Sequence, residues 1–122
     1  MANNTFPREA RILTSEQFDK VFKNNTVRAS APGIVLLAIR NDVECSRLGL
    51  VVPKKVLKRA VWRNNVKRVV RETFRVSRGC LPNIDLVFIA KPKIGELSNI
   101  ELSCTLKRLW HKISRQLDNQ QF

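Results

Sequence analysis

Between Lys58 and Arg78 the chain reads KRAVWRNNVKRVVRETFRVSR, with apolar residues recurring at helical spacing and cations filling the gaps. With Val66 at zero and about 100 degrees per residue, Trp62, Val69, Val70, Thr73, Phe74 and Val76 lie within about 80 degrees of it. Those residues are the expected core face of a helix. Arg63, Asn64, Lys67, Arg71, Arg75 and Arg78 occupy an arc from roughly 60 to 180 degrees, with Arg68 just beyond, so the positive charge forms a continuous stripe. Asn65 and Glu72 fall on the remaining flank.

A solvated charged face is the ordinary explanation of a charge run. It fits poorly here, because Arg63, Lys67, Arg71 and Arg75 are like charges spaced four apart, and each such pair costs a few tenths of a kcal/mol. Ten of the 23 lysines and arginines lie between Lys54 and Arg78 against one acid, Glu72, and the whole chain carries a formal charge of +13. A row of phosphates would offset that repulsion, with arginine forks gripping oxygens and released counterions adding affinity. A polyanion is the expected partner.

The other chemistry-bearing residues suggest no protein-based active site. His111 lies in a basic stretch beside Trp110 and Lys112, where a surface histidine is the simpler reading. Asp19, Asp42, Asp85 and Asp118 are scattered singly, so no magnesium cluster is visible, although folding could assemble one. Neither a dinucleotide-binding nor a phosphate-binding glycine motif occurs. Cys45, Cys80 and Cys104 are odd in number and far apart, which suits reduced, buried or incidental thiols better than disulfides or zinc. The N-terminus lacks a signal-peptide apolar region, and the longest apolar run, Ile34 to Ile39, falls far short of the ~20 residues that span a bilayer, so a cytoplasmic protein with no membrane partner is expected.

At 122 residues the chain has room for one domain, and 43% hydrophobic content supports a folded body rather than a disordered basic tail. Residues 1–12 read as an extended lead-in and 118–122 as a frayed tail. TSEQFDKVFKN is a short helix that Ser15 or Thr14 could cap, with Phe18, Val21 and Phe22 on one face. GIVLLAIR and SRLGLVVPKK read as two strands suited to an antiparallel pair, the first beginning near Ile34. Gly79 and Pro82 stop the basic helix, IDLVFIAKP is a strand apolar enough to be central, and Asn99 to Leu117 forms a second long amphipathic helix. The order is helix, two or three strands, helix, strand, helix, in a mixed domain without repeats.

The stretch GLVVPKKVLKRAVWRNNVKRVVRETFR, Gly49 to Arg75, resembles the signature of the protein subunit of bacterial ribonuclease P: Arg-Asn-Arg, two residues, Lys-Arg, two residues, Arg-Glu. Arg63, Asn64, Lys67, Arg68, Arg71 and Glu72 match it, whereas Asn65 stands in place of the second arginine, whose contact is weakened or supplied by a neighbour such as Arg68. FPREARILTSEQFDKVF, IDLVFIAKP and LKRLWHKISR resemble further family segments, so the likeness covers nearly the whole chain.

The resemblance implies an α+β domain with a four-stranded mixed sheet in the order αβββαβα, a short extra strand near Val27 to Ala31 and a left-handed crossover through the basic helix. It also implies an RNA-binding accessory subunit of an endoribonuclease whose chemistry, with magnesium, belongs to the RNA subunit. Lys54, Lys55, Arg59, Arg63, Asn64, Lys67, Arg68 and Arg71 are then expected to meet the catalytic RNA. Phe18, Phe22 and Lys91 are expected to meet the 5′ leader of precursor tRNA, with no catalytic or metal-ligating side chain of the protein's own. Simple core packing is the rival role for the two phenylalanines. A ribosomal-type or other generic RNA-binding module is the alternative function. A DNA-binding recognition helix is weaker still, since strand-like GLVVP stands where a helix-turn-helix partner would be.

Overall fold

The computed structural model describes residues 14–41, 46–77 and 83–119. Helix α1 (Ser15–Asn24) is followed by strands β1 (Val27–Ala31), β2 (Ile34–Arg40) and β3 (Arg47–Val51), helix α2 (Ala60–Ser77), strand β4 (Ile84–Ala90) and helix α3 (Asn99–Asn119), with a single 3-10 turn (Ile94–Glu96) before α3. Thr14, not Ser15, caps α1: its hydroxyl accepts from the Gln17 N–H while the Gln17 side chain accepts from the Thr14 N–H, each at 3.2 Å. Residues 1–12, Cys45, Cys80, Arg78, Gly79, Pro82 and 120–122 lie outside the described residues.

The four strands form one mixed sheet in the order β1-β2-β4-β3. β1 is the short strand that the family resemblance implies. It joins β2 through Pro32 and Gly33, and Gly33 takes φ 88°, as the third position of a type II turn requires. GIVLLAIR and SRLGLVVPKK are not paired with each other. β4 lies between them, antiparallel to β2 and parallel to β3. The reason lies in burial: six of the seven β4 residues are buried, so the most apolar strand gains most from neighbours on both edges. β3, with Arg47 and Gly49, takes an edge instead.

Alternation along the strands divides the core in two. Ile34, Leu36, Ala38, Leu48, Ile84, Leu86, Phe88 and Ala90 face α2 and α3. Val66, Val69, Val70, Thr73 and Phe74 are the buried residues of α2, and the Phe74 and Trp110 rings meet edge to face at 5.9 Å. Trp62 and Val76 depart from the helical-wheel expectation, being 50% and 68% exposed. Angular position says which way a residue points, and among the described residues neither the first nor the last turn of α2 has enough of a neighbour to cover it. The opposite sheet face carries Leu37 and Val87, on which α1 lays Val21 and Phe18.

Candidate nucleic-acid interface

Lys54 and Lys55 are exposed in the turns that connect β3 to α2. Arg59, just before the helix, is also exposed and places its guanidinium carbon 5.2 Å from the centroid of the Trp62 ring. Arg63 is half-buried. Its Nη1 donates to the carbonyls of Leu57 (2.8 Å) and Lys58 (2.9 Å), so one edge of this fork holds the connection against the helix. Asn64 is exposed, Lys67 and Arg71 are half-buried, and Arg68 is exposed. All lie along α2: Asn64, Arg68 and Arg71 are turned away from its buried valines, and Arg63 and Lys67 flank the buried face.

Asn65 is a joint between helices. Its Nδ2 donates to Asn99 Oδ1 at 2.7 Å, tying α2 to the start of α3. Arg68 reaches back one turn, donating from Nη2 to Asn65 Oδ1 at 3.0 Å and from Nη1 to Glu72 at 3.2 Å. The guanidinium of Arg68 thus lies beside the position at which the ribonuclease P signature has its second arginine. Sequence reasoning had no signal for the link to Asn99, because the partner stands 34 residues away.

On the other side of the sheet, Phe18 is half-buried against the Val21, Leu37 and Val87 cluster, whereas Phe22 is 41% exposed. Their rings are near-parallel, 6.4 Å between centroids. Val35, Ile39, Val51 and Ile89 border this cluster and are only partly buried, so an apolar strip of sheet runs beside α1. Lys91 is exposed at the end of β4, and its backbone N–H donates to the Gly33 carbonyl at 2.9 Å. Alternation from Val87 and Ile89 gives it the same side of the sheet as α1.

That same face carries a polar anchor that single-residue reading overlooked. Asp85, 1% exposed, receives both nitrogens of an Arg47 fork at 2.7 and 2.6 Å and the Asn41 amide at 2.8 Å. The register Arg47 to Asp85 between parallel neighbours brings them together, and no local sequence pattern announces it. Among the described residues no group of three histidine, cysteine, aspartate or glutamate side chains converges as a metal site would require. His111 and Cys104 are exposed on α3.

Comparison with known proteins agrees with this geometry. The family model described as Ribonuclease P matches residues 6–114. The chain is 46% identical over 121 residues to the ribonuclease P protein component of Pseudoalteromonas atlantica, covering 99% of this chain and all of that one. It is 50% identical over 110 residues to that of Photobacterium profundum, covering 90% and 92%. The solved structure of the Staphylococcus aureus RNase P protein superposes with a TM-score of 0.79 at 25% identity, over 84% of this chain and 94% of that one.

Proposed function

The chain belongs to the ribonuclease P protein family, the RNA-binding component of an endoribonuclease, and from that premise we propose that its two sides engage two RNAs at once. The cationic side of α2, with Lys54, Lys55, Arg59, Arg63, Asn64, Lys67, Arg68 and Arg71, grips the catalytic RNA through phosphates. The strip beside α1, with Phe18, Phe22 and Lys91, holds the 5′ leader of precursor tRNA by stacking and charge. The observation that carries this reading is the sheet itself: α2 and α3 pack on one face and α1 on the other, so neither RNA would obstruct its neighbour.

Hydrolysis of the phosphodiester is the work of the RNA subunit, with magnesium held chiefly there. The described protein residues offer no converging donor set of their own for the ion. The protein contributes position. Phosphate contacts fix its register on the catalytic RNA, and stacking on an aromatic ring holds an unpaired leader base without demanding a particular sequence. In this reading the protein acts in the cytoplasm, with neither DNA nor membrane as partner. Among the described residues no helix is long and apolar enough to cross a bilayer.

The test is reconstitution. Purified protein added to the catalytic RNA at low magnesium should accelerate release of the leader from precursor tRNA, and RNA-free protein should release none. Equal stimulation by an unrelated basic RNA-binding protein would reduce the role to charge screening.

A further inference from the structure

Beside the first turn of α2 lies a concavity of about 400 Å³, enough for a planar heterocycle. Leu57, Val66, Ile94 and Leu102 form its apolar lining and are nearly fully buried, while Trp62 stands at its border half exposed. A large indole left open in the middle of a helix's apolar arc is costly to hydrate unless something covers it. Asn65 and Asn99 complete the wall. Their mutual hydrogen bonds and the one from Arg68 leave Asn99 with one amide N–H and one oxygen lone pair unspent, a donor beside an acceptor.

The electrostatics select the occupant. The first turn of α2 contains no acid, although the positive end of a helix favours one, and it is preceded by exposed Lys58 and Arg59. The Arg59 guanidinium already lies over the Trp62 ring. A ligand that is flat and apolar on its faces, polar on its edge and attached to a phosphate satisfies every part of this arrangement. The geometry points to Trp62 and its concavity as the seat of one unstacked nucleobase of the catalytic RNA, its phosphate meeting Lys58 and Arg59 at the start of α2.

This inference rests on the proposed contact between α2 and the catalytic RNA, and the experiment separates the two. The chain has two tryptophans, and they report independently: Trp110 is 2% exposed and packed on Phe74, so quenching by a base can come only from Trp62. Catalytic RNA is titrated into the protein while both fluorescence and the salt dependence of binding are followed. Quenching of the native protein is expected, together with its loss in Trp62→Leu. Trp62→Leu should bind roughly tenfold more weakly, the loss of one stacked base, at an unchanged salt slope because no phosphate contact is removed. Trp62→Phe should keep most of the affinity, and both variants should melt with the native protein because the side chain is half exposed. Full RNA binding without quenching, or undiminished affinity in Trp62→Leu, overturns the pocket and leaves the α2 contact standing. No binding of the catalytic RNA at all overturns both.

Discussion

The two faces of one sheet are finished differently. Against α2 and α3, Ile34, Leu36, Leu86 and Phe88 are completely buried. Against α1, a helix of 10 residues, Val35, Ile39, Val51 and Ile89 are only partly covered and Phe22 stays 41% exposed. The first face is a core whose helices turn their charged sides outward. The second is an apolar surface left partly uncovered. Stability should therefore reside on one side and leader recognition on the other, and each substitution below asks whether that separation is real.

The largest expected effect is on the covered face. Phe88→Ala should cost about 3–5 kcal/mol in denaturant unfolding, whereas Val35→Ala on the open face should cost under ~1.5 kcal/mol. Comparable losses would mean that both faces are equally structural. Breaking the anchor with Asp85→Asn should cost about 3 kcal/mol, because the partly buried Arg47 fork then faces an uncharged amide. That result would show that the open face has one rigid support among its partly covered residues. Gly33→Ala should destabilise by more than ~1 kcal/mol: the backbone is at φ 88° and a Cβ would lie 2.8 Å from the Ile94 nitrogen. Its effect belongs to the hinge of β1 and β2, so RNA binding by the folded fraction should be unchanged.

Smaller effects sharpen the electrostatic side. Lys67→Ala should lower the salt slope of catalytic-RNA binding by about 0.7–0.9 with little change in melting temperature. Arg63→Ala should lower both, since its fork also holds the carbonyls of Leu57 and Lys58. The least effect concerns the start of α3, where Ser98 and Glu101 form a capping box. Hydrogen bonds from the Ser98 backbone and hydroxyl hold the Glu101 carboxyl below its ordinary pKa. Its contribution is therefore present above the unfolded-state pKa and lost as pH falls through the folded one. Glu101→Gln should flatten the acid side of the melting profile, and an unaltered profile would remove the box from the account.

Much of this was legible in the sequence because it is local. The period of 3.6 through Val66, Val69, Val70 and Phe74 located the core side of α2, and the run IDLVFIA marked the central strand. Pairing was not local. Nothing in GIVLLAIR or SRLGLVVPKK states that β4 will come between them, since that outcome depends on comparing burial across the whole sheet. Trp62 failed for a related reason: a wheel gives direction, whereas exposure depends on where the neighbouring helix begins. The contacts from Asn65 to Asn99 and from Arg47 to Asp85 join residues more than thirty positions apart. The ribonuclease P signature drew attention to Asn65 as a missing arginine without indicating its role between helices.

The central claim, two faces for two RNAs, is tested most directly by titrating reconstituted holoenzyme with precursor tRNA carrying a leader of several nucleotides and with leaderless tRNA, using Phe22→Leu. Leucine keeps the apolar contact of a side chain already 41% exposed and discards the ring on which a base stacks. Binding of the long-leader substrate should weaken by about 1 to 3 kcal/mol while leaderless binding, catalytic-RNA affinity and melting temperature stay level. Equal loss for both substrates, or a large fall in melting temperature without selectivity, would return Phe22 to the core and contradict the division.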